Sequence, residues 1–310
     1  MGSGERTCAL VSHLNLDRPV AGLHPPGKAG DFYGGGVGNG PVGFVLGGGG
    51  VLGAVEVGML RALFRAQILP DVLVATSIGA INAAMVAVAP VPSVIDDLVR
   101  LWASPEMSEV YGDSVPRQMR RFATRNHLHN PAPLKRMLER HLGRNLIFAD
   151  LKVPLHLVAA SIERSAEHWF TEGAVLPAVM AAAAVPGVLP PLAIDGEHFI
   201  DGSIVCPTPV GRAVDLGATD IYVLQVGRID KPLTPPERPW EAATVALELA
   251  RRARFASEID LVPPGVRVHV LPGGDEGDES PWAYRNTAGV RHRVSSAYTA
   301  SRDYLAAVGL

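Results

Sequence analysis

Cysteine is nearly absent from this chain: its 310 residues hold two, Cys8 and Cys206. One lies in a loose N-terminal stretch and the other just after an apolar run, so no disulfide framework is expected. Both read as free thiols in a reducing compartment, and a cytoplasmic location follows. Charge is scarce and almost balanced, at 19% charged residues and a net charge of −3. That balance excludes the strongly basic surface of a nucleic-acid groove. The ten histidines keep no ligand spacing with Cys, Asp or Glu, so neither a metal nor another cofactor is expected. No secretory leader is expected either, because Asp17 and Arg18 interrupt the little apolar character of residues 1–20.

Long apolar runs are also rare. Residues 72–89 carry no charge and approach the length of a membrane span. Thr76, Ser77, Gly79 and Asn82 interrupt them, and a glycine follows a short β-branched run. A buried strand leading into a buried helix explains this stretch better.

What is present is enough apolar mass, 47% of the chain, for a sizeable core. Residues 1–40 are rich in Gly and Pro without periodicity and read as a flexible arm. Strand-like runs follow at 42–46, 72–75, 155–160, 198–201, 221–226 and 266–271. Helical spacing marks 54–66, 80–89, 93–102, 133–141, 176–184, 210–216, 240–259 and 287–308, with Ser93 as an N-cap behind Pro92. An Arg-rich helix carries Arg117, Arg120, Arg121 and Arg125. Strands alternating with helices predict an α/β fold: a mostly parallel sheet with helices on both faces.

Two short stretches carry the chemistry. Gly48-Gly49-Gly50-Val51-Leu52-Gly53 follows the first strand and opens a helix. It satisfies the dinucleotide pattern G-x-G-x-x-G, which also demands an acid about 20 residues on, at the end of the second strand. Asp71 precedes that strand, and the strand ends in Thr76-Ser77 instead. No Lys-Ser/Thr pair follows the glycines, so a P-loop fails too. An anion-binding nest of backbone N–H groups remains, beside the plainer reading of a tight turn.

Ala75-Thr76-Ser77-Ile78-Gly79 places a serine at a strand-to-helix corner, close to the G-x-S-x-G nucleophile elbow with Ala75 in place of the first glycine. Ser77 could equally cap its helix. Topology separates the two readings. Residues 42–77 form one strand-helix-strand unit, whose right-handed crossover sets two parallel strands side by side. The glycine turn and Ser77 then emerge at one edge, where open α/β sheets bind ligands.

A serine nucleophile needs a proton acceptor. Asp201 ends the apolar run His198-Phe199-Ile200-Asp201 and precedes Gly202. Strand alternation puts His198 on the opposite face from Asp201. The same Asp-Gly pair also fits a simple loop turn. A Ser-His-Asp triad would need a late histidine, His269 or His292, and several strands before the nucleophile; one strand precedes this serine.

Gly48–Gly53, Ala75–Gly79, the run from Ala181 to Pro191 and Asp201-Gly202, in this order, resemble the patatin-like phospholipases. The resemblance spans about residues 42–226. It implies a three-layer α/β/α sandwich and a Ser–Asp dyad, with Ser77 as nucleophile and Asp201 as general base. It also implies an oxyanion hole from the amides of Gly48, Gly49 and Gly50, flanked by Gly53, Ala75, Gly79 and Gly202. Four positions depart from the usual pattern. Leu52 stands where many members carry Arg or Lys, Ala75 replaces glycine, Ala183 replaces serine, and Ser203 replaces glycine or alanine.

The expected activity is hydrolysis of fatty-acyl esters of lipids. The alternatives are a lipid-binding or scaffold protein with an impaired site and, more remotely, a nucleotide-binding domain. A lipid substrate brings peripheral membrane contact into view, with the Arg-rich helix as the surface for anionic head groups, or else simply a solvated face. The hydrolase domain is placed at residues 41–275, with a C-terminal helical segment, 276–310, packed on it. Oligomeric state is left open.

Overall fold

The structure, a computed structural model, describes residues 40–49, 52–110, 115–226, 232–275 and 289–310. The Gly/Pro-rich arm, apart from its last residue, and the cysteine Cys8 lie outside the described residues. So does Gly50 of the glycine turn.

Four parallel pairings build the sheet's centre. Strand β1 (Val42–Leu46) lies between β2 (Val72–Thr76) and β7 (Asp220–Leu224). Beyond these, β3 (Leu155–Ser161) joins β2, and β8 (Arg267–Val270) joins β7. These strands read as continuous apolar runs because both faces are covered. Phe44, Leu46, Leu73, Ala75 and Leu224 point into the larger core. There they meet α1 (Gly53–Arg65), α2 (Gly79–Val88), α3 (Ser93–Trp102) and residues from further helices. Alternate residues Val45, Val72, Val74, Ile221 and Val223 point the other way. They pack on Val210 and Ala213, and on Phe255 of the long helix that follows β7. Helices on each side of a sheet make three layers, the α/β/α arrangement expected.

The remaining helices follow in chain order. They are α4 (Pro105–Val110), α5 (Val115–Thr124), α6 (Ala132–Leu142), α7 (Val175–Ala182), α8 (Val210–Asp215), α9 (Pro239–Asp260) and α10 (Val290–Ala307). Helix α10 lies against α1, where a Cβ on Gly58 would fall 2.4 Å from the Val294 carbonyl oxygen. Among the described residues no helix is long and apolar enough to cross a membrane.

Several details differ from expectation. Ser93 is the first helical residue of α3, not its cap; Pro92 takes the cap position and no side chain bonds the exposed amides. Helix α4 and strands β4 (Ala166–Phe170) and β5 (Leu192–Ile194) escape the sequence patterns. Both strands are short and partly exposed, with no clear alternation. Strand β6 (Glu197–Asp201) runs antiparallel to β3, against the direction of the parallel set.

That reversal positions the site. β4 covers one edge of β3 along residues 157–161. The other edge is shared. β2 occupies it as far as Thr76, opposite Val158, and β6 occupies the rest, with Asp201 opposite Ala159. Strands β2 and β6 therefore approach from opposite directions along one edge, and their C-terminal tips meet.

Candidate active site

Where the two tips meet, Ser77 Oγ donates a hydrogen bond to Asp201 Oδ2 at 2.6 Å. Ser77 is 4% exposed and Asp201 1%. Ser77 holds φ at +51°, a left-handed conformation that a side-chain-bearing residue adopts only at a cost. The turn is forced because α2 starts immediately, over the end of β1. A Cβ on Gly79 would lie 2.6 Å from the Gly47 carbonyl oxygen, so no side chain fits there. Ala75, by contrast, lies inside β2 with its methyl group in the core, which is why a residue other than glycine is accommodated.

Asp201 is held from both ends. Its backbone amide donates to Ala184 O at 3.0 Å, and its Oδ1 accepts the Ser203 amide at 2.8 Å. At Gly202 the chain passes so close to β3 that a Cβ would fall 2.2 Å from Val158 O. Burial pushes the Asp201 carboxyl above its usual range, opposed by the hydrogen bonds from Ser77 and Ser203. A carboxyl raised this way is a better proton acceptor than an exposed aspartate.

The glycine turn closes the third side. A Cβ on Gly48 would lie 3.1 Å from Ser77 Cβ and 3.4 Å from Ser77 Oγ, so this backbone passes directly beside the hydroxyl. Gly49 backs onto Val226, and Gly53 abuts the ring of Trp102. Among the described residues, no hydrogen-bond acceptor is found for the Gly48 or Gly49 amide. Leu52 is half-buried and packs on the larger core.

A small apolar cavity, with room for about one water, adjoins Ser77 and is lined by Ile78, Ile81, Met107, Leu134, Val185 and Leu189, with Ala183 also on its wall. The candidate histidines lie elsewhere. His269 lies in β8, three strands away from β2, and stacks on Tyr222 of β7, and His292 faces Asp275 on the surface. His198 pairs with Glu163 on the exposed side of β6. Cys206 is a free, buried thiol that burial makes hard to ionise. On α5, Arg120 is exposed and Arg121 donates to Leu128 O at 3.1 Å; the Arg117 side chain lies outside the described residues. Among the described residues no group of His, Cys, Asp or Glu is placed to hold a metal ion.

Sequence reasoning missed one part of this region. Asn82, Glu56 and Trp102 form a buried polar cluster beneath the glycine turn. A lone amide and a lone carboxylate in otherwise apolar helices were the available signals.

The geometry thus defines an α/β sandwich with a serine on a strained strand-helix corner, a buried carboxyl against it and a glycine turn alongside. Residues 44–214 match the model of a family described as patatin-like phospholipase. The chain belongs to that family. It is similar to patatin-like phospholipase domain-containing protein 7 of Rattus norvegicus, 29% identical over 200 residues, covering 61% of this chain and 14% of that protein. It is also similar to lysophospholipase NTE1 of Phaeosphaeria nodorum, 30% identical over 201 residues, covering 61% of this chain and 12% of the relative. The chain therefore spans a small fraction of these relatives' length. Among solved structures, VipD from Legionella pneumophila aligns with a TM-score of 0.45 at 14% identity, over 86% of this chain and 67% of that one. The type III effector protein ExoU aligns at 0.38 and 16% identity, over 87% and 54%.

Proposed function

We propose that this chain is a serine acyl hydrolase that cleaves fatty-acyl esters of lipids through Ser77 and Asp201. The observation that carries the reading is the buried 2.6 Å hydrogen bond from the Ser77 hydroxyl to the Asp201 carboxyl. Ser77 Oγ attacks the ester carbonyl carbon while its proton passes to Asp201 Oδ2. The resulting oxyanion faces the amides of Gly48 and Gly49. One well-aimed donor is worth about 3 kcal/mol in a serine hydrolase. Collapse expels the alcohol, which takes the proton from Asp201, and leaves an acyl-serine. Water then gives its proton to Asp201, attacks the acyl carbon, and releases the fatty acid with Ser77 restored.

Aspartate is a weak base, with an ordinary pKa of about 3.9. Desolvation offsets that weakness here, and the apolar side chains beside Ser77 favour an acyl group over a polar one at that position. Membership of the family and similarity to a lysophospholipase point the same way.

A fluorophosphonate probe and a panel of acyl esters test the assignment. Labelling at Ser77 and hydrolysis by wild type, both lost in Ser77→Ala by roughly 10⁴-fold or more, is the expected result. A wild-type protein that binds lipid yet neither labels nor hydrolyses would be a lipid-binding protein on this fold.

Contact with a lipid surface belongs to the same reading. The segment after α5 is tied to the cavity's rim, with the amides of Leu128 and His129 bonding the carbonyls of Gly187 and Val188 at 2.9 Å. Arg120 and Arg125 are exposed next to it. Co-sedimentation with vesicles should rise with anionic lipid content and fall with salt. Binding indifferent to both would remove this surface from the account.

A further inference from the structure

Beneath the glycine turn lies a polar cluster that the acyl-transfer steps do not use. Asn82 sits on α2, shortly after Ser77, and is fully buried together with Glu56 and Trp102. Its Nδ2 donates to Gly53 O at 2.9 Å and to Glu56 Oε2 at 2.7 Å, both in the first turn of α1. Its Oδ1 accepts the Trp102 Nε1–H at 2.9 Å. Both polar ends of the amide are engaged, so its orientation is fixed. The Trp102 ring also fills the space where a Gly53 side chain would be, with a Cβ there only 2.3 Å from the ring. The same Cβ would lie 3.1 Å from Ile78, the neighbour of Ser77.

Polar groups are costly in an apolar core, and aliphatic side chains of the same volume would fill this space at less cost. What the polar set adds is direction. Asn82 joins the start of α2, which carries the serine corner, to the start of α1, which carries the glycine turn. Glu56 extends the link. Burial pushes its carboxyl well above the ordinary range, opposed by the hydrogen bond from Asn82. The uncharged form is thereby favoured, which keeps negative charge away from the turn.

We propose that Asn82, with Glu56 and Trp102, forms a positioning clamp that holds the Gly48 and Gly49 amides toward the oxyanion formed on Ser77. This rests on the hydrolase reading and deepens it. The three residues act through the backbone of the turn and touch no substrate.

The test compares kcat, KM and trifluoromethyl ketone inhibition on a p-nitrophenyl acyl ester. The ketone's adduct with serine mimics the oxyanion. Asn82→Leu keeps the volume and removes the bonds. It should lower kcat about tenfold or more with KM within about twofold, and weaken the ketone in step. Trp102→Phe, which removes the indole donor, should lower kcat about threefold. Glu56→Gln should lose less activity than Glu56→Leu, because the amide oxygen still accepts from Asn82. Thermal melts identify any variant that fails to fold; if Asn82→Leu does, Trp102→Phe and the Glu56 pair decide. A folded Asn82→Leu with unchanged kcat and ketone affinity overturns the clamp, as does a loss confined to KM. Equal losses in Glu56→Gln and Glu56→Leu overturn it too. Wild type inert to every ester and to the probe would sink the hydrolase reading itself, and the clamp with it.

Discussion

The two halves of the sheet reach the same site by different routes. In the parallel half, β1, α1, β2 and α2 follow one another directly and bring the glycine turn beside Ser77 within one crossover. In the antiparallel half, Asp201 arrives from 124 residues away and depends on β6 taking the upper part of β3's edge. The first arrangement is local and redundant, since strand pairing, steric exclusion at Gly79 and helix packing all agree. The second hangs on a short register: three residue pairs join β6 to β3. The chain can therefore keep its serine corner and still lose the Asp201 contact if that register slips by one residue, because a slip turns Asp201 to the other face.

Substitutions can sharpen this contrast. The largest expected effect in the antiparallel half is Asp201→Asn, with ester hydrolysis reduced by about 10²–10⁴-fold and the fold retained. Stability should move the other way. The folded carboxyl is raised above its unfolded value, so wild-type stability is full below the ordinary carboxylate pKa and is lost as pH rises through the raised one. Asp201→Asn should then melt above wild type at neutral pH, and the two should converge below about pH 4. A variant that hydrolyses at the wild-type rate removes Asp201 from the chemistry.

Gly48→Ala probes the meeting of the two halves. Its new methyl group would press on Ser77 Cβ at 3.1 Å and displace the turn. We expect roughly a 10²-fold loss in kcat with a nearly unchanged melting temperature. A loss of stability as large as the loss of activity would mark the turn as structural. Ala75→Gly is the mildest change. Glycine inside β2 should cost about 0.5–1 kcal/mol in urea unfolding; a gain in stability would contradict the placement of its methyl group in the core.

Most elements of the parallel half were legible because each follows from short-range rules. Short continuous apolar runs at Val42–Leu46 and Val72–Thr76, a stop at glycine and a small-residue helix after Ser77 leave few alternatives. The serine–aspartate–glycine set was legible as three separate motifs. Strand ends account for the convergence of Ser77 and Gly48; Asp201 reaches them through a head-on meeting with β2, on an antiparallel strand. Strands β4 and β5 left no trace because edge strands with polar, half-exposed side chains have no distinctive period. Asn82, Glu56 and Trp102 were hidden for another cause: a polar residue in an apolar helix reads as an interruption until its partners, drawn from two other helices, are known.

Chain order and residue type by themselves determined the layered α/β architecture, the serine corner and the glycine turn. These depend on backbone sterics and side-chain alternation over a few residues. Only the tertiary structure decided that Asp201 faces Ser77, that its carboxyl is desolvated, and that a buried amide joins the two turns. Each of those depends on which surfaces exclude water together, and a linear sequence does not specify that until its strands have paired.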